Sequence, residues 1–174
     1  PSESTVPRHR PESTESNVQE SVSESQDRSS VHLDAGSRAG EERTIDLGGG
    51  VTMDMVWIPP ESFMMGSKFS PEEAASRYGG EARYFEDEHP QHRVELTRGF
   101  WMGKYEVTQA QWEAVMGSNP SHFKGADRPV ESVSWNDCRK FAEKLNRRAS
   151  EGEFRLPTEA EWEYACRAGT RTAY

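Results

Sequence analysis

Arg155-Leu156-Pro157-Thr158-Glu159-Ala160-Glu161-Trp162-Glu163-Tyr164-Ala165-Cys166-Arg167-Ala168-Gly169 is a helix with its start written into the sequence. Pro157 pins the approach, Thr158 is placed to cap, and Glu161, three residues on, can reach back to the cap in a reciprocal capping box. Trp162 and Ala165, flanked by Tyr164 and Cys166, give the helix an apolar side, and Glu159, Glu163 and Arg167 are expected to stay in water. Similar starts recur upstream. Ser134-Trp135-Asn136-Asp137 opens a helix in which Trp135, Cys138, Phe141, Ala142 and Leu145 share one face at spacings of three and four. Thr108-Gln109-Ala110-Gln111 opens another that buries Trp112, Val115 and Met116 and stops at Gly117. Ser70-Pro71-Glu72-Glu73, with proline at the first helical position, opens a third that Gly79-Gly80 ends.

Between the helices the apolar period shortens to that of strands. Val51 to Ile58 reads as a strand, and Gly48-Gly49-Gly50 before it reads as a turn; a phosphate-cradling loop would need a helix directly behind it. Pro59-Pro60-Glu61-Ser62 then separates Val51–Ile58 from a short strand at Phe63 to Met65, and the two are expected to form a hairpin. Arg93 to Thr97 alternates as a half-buried strand, and Gly99 to Val107 suggests a longer, aromatic-rich one. Short strands, short helices and long loops make an α+β domain.

That domain does not occupy the whole chain. The 174 residues are 33% hydrophobic, and the mean hydropathy is -0.94. Residues 1–43 contain no Phe, Trp, Tyr, Ile, Met or Cys, so they carry too little apolar area to offset the entropy of ordering and are expected to be a disordered polar tail and linker. The folded part is expected over residues 44–174. A net charge of -9 argues against a nucleic-acid partner, which would need a basic face. No apolar run is long enough to span a membrane, no signal peptide is visible, and localisation stays open.

Candidate chemistry is sparse. Cys138 and Cys166 are the only cysteines; both sit on helix faces as small apolar residues, and they are wrongly spaced for a metal knuckle or a CxxC pair. Glu86-Asp87-Glu88-His89-Pro90-Gln91-His92 gathers acids and imidazoles, yet nothing fixes both rings on one point, and a loop–strand junction accounts for it better than a metal. Ser118 to Gly125 contains Ser, Asn and His but no oriented base, and reads as a surface loop. Trp112, Trp135 and Trp162 are expected in the core. No catalytic, cofactor-binding or metal-binding residue is assigned within the chain.

Several blocks in order resemble one family. Val56-Trp57-Ile58-Pro59, Phe63-Met64-Met65-Gly66-Ser67, Glu88-His89-Pro90-Gln91-His92-Arg93-Val94, Phe100 to Thr108, Pro129 to Asp137 and the Arg155 stretch are similar to the formylglycine-generating enzyme and sulfatase-modifying-factor family, with the Arg155 stretch as its signature. The resemblance covers about residues 45 to 174 and implies a C-type-lectin-like FGE-sulfatase fold, C-terminally incomplete here. It implies a copper- and oxygen-dependent oxidation of a sulfatase cysteine to formylglycine, with copper held by two thiolates, a set suited to Cu(I). In the family those cysteines and the calcium ligands lie beyond the position of Tyr174, so copper and calcium are implied only for the missing part. The implied partner is a sulfatase-like polypeptide. The resemblance also places the acidic loop near a substrate groove, making Asp87, Glu88 and His92 candidate cleft residues, and the preceding helix an insertion of variable length. A non-catalytic binding or accessory module on the same fold is the alternative.

Overall fold

A computed structural model describes residues 35–149 and 153–170. Most of the expected tail, residues 1–34, lies outside the described residues. Strands β1 (Glu42–Gly48) and β2 (Val51–Ile58) form an antiparallel hairpin with Ile45 opposite Met53. Gly48, Gly49 and Gly50 all have positive φ, from 63° to 90°, which glycine adopts without strain, so the expected turn forms. Ordered pairing begins ahead of residue 44: Gly40 N–H donates to the Trp57 carbonyl, and Trp57 N–H to that of Glu41. The charged residues Glu42 and Arg43 open an outer strand, where alternate side chains face water, and this is why their composition resembles a linker.

Strand β3 (Glu61–Met65) does not pair with β2. It pairs with β4 (His92–Leu96), Phe63 opposite Val94, in a separate two-stranded sheet. Pro59 and Pro60 have no N–H to donate, so they end the β2 ladder and redirect the chain. The second partner of β2 is β5 (Phe100–Gly103), giving the order β1-β2-β5 with Trp57 opposite Trp101. β5 is shorter than expected. Past Gly103 the chain bends away, and Val107 and Thr108 pair instead with the loop at Pro129 and Val130.

Four helices form where their caps are written: α1 (Pro71–Tyr78), α2 (Gln109–Met116), α3 (Trp135–Asn146) and α4 (Glu159–Arg167). Each begins with a complete capping box, from Ser70, Thr108, Ser134 and Thr158 respectively. Helices this short are marginal alone, so an encoded start and a packed face must both contribute. In α2 the N3 side chain does more than cap. Gln111 Oε1 accepts Thr108 N–H at 2.9 Å, and its Nε2 donates to the Thr52 carbonyl of β2 at 2.8 Å. Thr108→Ala is expected to cost about 1 kcal/mol of unfolding free energy, read by chemical denaturation. No helix among the described residues is long and apolar enough to cross a membrane.

The core lies between the three-stranded sheet and helices α2 and α3. Ile45, Leu47, Met53 and Met55 alternate on the inner face of the hairpin and meet Trp112, Val115, Phe141 and Leu145. The Trp112 and Phe141 rings stack with centroids 5.2 Å apart and planes 6° from parallel. Two other tryptophans are not core. Trp135 is 64% exposed and Trp162 48% exposed. Trp135 is the first residue of α3, where the side chain leans back past the helix start, and the Arg139 guanidinium lies 5.1 Å from its ring centre. Trp162 is exposed because α4 packs through its Glu163 and Tyr164 side instead.

Candidate functional site

A cavity of about 640 Å³ opens between β2, β5 and α3, with residues 153–157 along one side. Trp57, Trp101, Trp112, Cys138, Phe141 and Phe154 make its wall apolar. Phe154 is held in place through its backbone: its N–H donates to Asn146 Oδ1, and Asn146 Nδ2 donates to its carbonyl at 2.9 Å. Charged side chains also border the space, among them exposed Glu106, Glu153 and Arg155. A mostly apolar concavity with a few charged groups is the usual form of a binding site.

Arg155 and Glu161 form a two-pronged ion pair, 2.6 Å in each arm, beside that cavity. Glu161 also accepts Thr158 N–H, so one carboxylate serves both as cap and as counter-ion. The Arg155 hydrogen bonds foremost, with the Thr158 N–H, bring the Glu161 carboxyl from its ordinary 4.5 down to about 2, while the Arg155 guanidinium is raised by the same contact. A depressed carboxyl stabilises the fold above its unfolded value and loses that contribution as pH falls through its folded value. Between about pH 4.5 and 2, Glu161→Gln is expected to flatten the fall in stability with acid, seen as a smaller decline of the thermal midpoint than in the parent chain.

The candidate cleft residues lie elsewhere. Asp87 and Glu88 end a 3-10 helix (Ala82–Glu88), and His92 is the first residue of β4. None of the three lines the cavity. Glu88 participates through its carbonyl, which accepts Ser67 N–H at 2.6 Å, and His92 Nδ1 lies 3.0 Å from the Pro90 carbonyl. Among the described residues no three His, Cys, Asp or Glu side chains converge as a metal site.

Cys138 is half-buried in the cavity wall. Burial foremost, and the neighbouring Asp137 charge, push its thiol up, which suits an inert apolar liner better than a nucleophile. Cys166 is exposed on α4, contrary to the sequence expectation, because α4 buries its polar side.

That polar side is the clearest departure from the sequence reading. Glu163 is 5% exposed, and its Oε1 accepts Gly66 N–H at 2.8 Å and Arg167 Nε at 2.7 Å. The Gly66 carbonyl accepts from Arg167 and from Gln91 Nε2, both at 3.1 Å. Both polar atoms of one glycine peptide are thus gripped by α4 and by the segment entering β4. Gly66 has φ of 86°, and a Cβ there would meet the Glu88 carbonyl oxygen at 2.4 Å, so only glycine fits. The signal available in sequence was the i,i+4 pairing of Glu163 with Arg167.

A second buried polar centre is Gln109, 1% exposed. Its amide donates to the Phe123 and Pro129 carbonyls and accepts from Asn119 Nδ2 and Gly125 N–H. Ser121, 2% exposed, bonds with Glu131, whose carboxylate also accepts the N–H groups of His122 and Phe123. The expected surface loop at 118–125 is therefore packed around side-chain amides, though no catalytic triad assembles in it.

The family model described as the sulfatase-modifying factor enzyme 1-like domain matches residues 49–174. Chaperone protein LppX of Paenibacillus barcinonensis is 38% identical over 107 residues, covering 42% of this chain and 38% of that protein. The formylglycine-generating enzyme of Mus musculus is 35% identical over 78 residues, covering 45% of this chain and 18% of the enzyme. Among solved structures, Treponema denticola variable protein 1 superposes with a TM-score of 0.56 at 26% identity, over 74% of this chain and 57% of that one. The chain therefore spans well under two thirds of each of these relatives. With the ordered sequence blocks, the mixed fold of short strands and helices and the family match over most of its length, the chain belongs to the FGE-sulfatase family.

Proposed function

We propose that this chain is the scaffold portion of a formylglycine-generating-enzyme-like protein. In that reading the copper- and oxygen-dependent oxidation of a sulfatase cysteine is carried by residues outside these 174, which also supply the copper and calcium ligands. The observation that carries the proposal is the apolar cavity walled by the family's own motif residues, Trp57, Trp101 and the segment leading from Arg155 into α4. The residues present do not fit copper: a Cu(I) site needs two thiolates on one ion, whereas Cys138 is a half-buried cavity liner and Cys166 an exposed residue of another helix, both free.

The resemblance to a protein named a chaperone favours a second reading, a binding module that handles polypeptide without oxidising it. Cu(I) titration against a chromophoric chelator distinguishes the two. The 174-residue chain is expected to leave the chelator its metal, and a form extended past Tyr174 to withdraw copper stoichiometrically. A copper-silent extended form would replace the enzyme reading with the module.

A further inference from the structure

The cavity between β2, β5 and α3 has an apolar wall and an acidic border. The buried residues Met53, Met55, Trp112 and Phe141 line it, and the charged groups around it are Glu106, Glu153, Glu161 and Arg155. Both arms of Arg155 are engaged by Glu161, at 2.6 Å. The cations next to the wall are matched as well, Lys104 Nζ with Glu42 at 2.8 Å and Arg43 with Glu41 at 3.5 Å. Glu106 and Glu153 differ: among the described residues neither carboxylate has a hydrogen-bond or close ion-pair partner, and Glu153 feels Arg155 only at longer range. The border therefore carries two carboxylate charges that nothing on it balances.

The aromatic wall favours the same sign of ligand charge. The Arg43 guanidinium lies 5.2 Å from the centre of the Trp101 ring and Lys104 Nζ 5.5 Å from that of Tyr105, and both rings line the cavity. A cation over an aromatic face is attracted by the ring quadrupole, more strongly as water is excluded. A carboxylate beside an apolar space attracts a cation there more strongly than it would in bulk water. An anion would meet neither attraction. At about 640 Å³ the cavity is the size of a small-molecule site, for which about 300–1,000 Å³ is usual.

We propose that the cavity binds a small amphiphilic amine. An aromatic or aliphatic body sits against Met53, Met55, Trp112 and Phe141, and a protonated nitrogen lies at the border toward Glu106 and Glu153. Burial of the body supplies most of the affinity, and the two carboxylates set the preference for positive charge. This goes beyond the scaffold reading and does not depend on copper, so either can fail without the other.

The test is a calorimetric titration of the 174-residue chain with three ligands that share one body: 4-phenylbutylamine, protonated at neutral pH, 4-phenylbutan-1-ol and 4-phenylbutanoate. The amine is expected to bind at least about tenfold more tightly than the alcohol, and the anion more weakly than either. E106Q/E153Q is expected to bring the amine down to the level of the alcohol, with the thermal midpoint unchanged because neither carboxylate holds the fold together. E86Q/E95Q removes the same charge from residues that do not line the cavity and is expected to leave the preference intact. Cys138, in the cavity wall, reports where the ligand sits: in a chain carrying Cys166→Ser, saturating amine is expected to slow its alkylation by iodoacetamide several-fold. No binding of the amine, equal affinity for amine and alcohol, or tighter binding of the anion overturns the proposal. Equal losses in the two double variants, or an unprotected Cys138, overturn it too.

Discussion

Glu163→Ala is expected to remove about 3–5 kcal/mol of stability, the range for breaking a buried ion pair by deleting one partner. The substitution takes the carboxylate from a guanidinium whose side chain is 9% exposed and leaves the buried Gly66 N–H without its acceptor. For a domain of this size that is a fall of roughly 10 °C or more in the thermal midpoint. Glu163→Gln is expected to fall between parent and alanine, since an amide oxygen can still accept from Gly66. Pairing Glu163→Leu with Arg167→Met is expected to recover much of the loss, because well-packed apolar replacements of a buried pair are often neutral. A double variant no more stable than Glu163→Ala would show that the pair is not the source of the effect.

The second large effect is expected at Gln109. Alanine there strands two carbonyls, one N–H and the Asn119 amide at a site 1% exposed, and each buried group left unpaired costs about 1–3 kcal/mol. Water entering the vacated volume re-pairs some of them, so a net loss of about 3 kcal/mol is expected in denaturant titration. The damage should be local as well. Hydrogen exchange at Gly125 is expected to accelerate far more than at Leu145 in α3. Uniform acceleration would mean that Gln109 supports the whole fold and not the 118–125 loop.

The local rules that depend on a few adjacent residues were fully legible. All four helices start at the residues whose side chains can cap them, and the triple glycine turns where its φ angles require. The mixed fold class and the family also followed from the ordered motifs. Strand partnership was not legible. Adjacency in sequence suggested β2 with β3, but a prolyl pair can either sit within a hairpin turn or divert the chain, and only the remote strands β4 and β5 decide between them.

The site was less legible than the fold. Glu163 and Arg167 read as wet because charge usually is, and Trp135 and Trp162 as buried because indole usually is. The structure inverts both assignments on α4: the surface this helix packs against presents a bare glycine peptide, which is satisfied by a carboxylate and a guanidinium and not by a ring. Such demand comes from a residue 97 positions away in sequence and leaves no trace in local periodicity. The cavity has the same character, since its wall is assembled from β2, β5, α3 and the irregular run before α4.

The grip on Gly66 bears on what this protein can be made to carry. It closes the two ends of the excursion that runs from Gly66 through α1 and the 3-10 helix to Gln91, so the sheet below senses the excursion only at its base. Doubling the length of a flexible loop costs about 0.6 kcal/mol, so foreign sequence grafted between Tyr78 and Ala82 is expected to be tolerated at a cost smaller than the loss of one helix cap. The excursion is a cassette: its contents can be exchanged while β3, β4 and α4 keep their register.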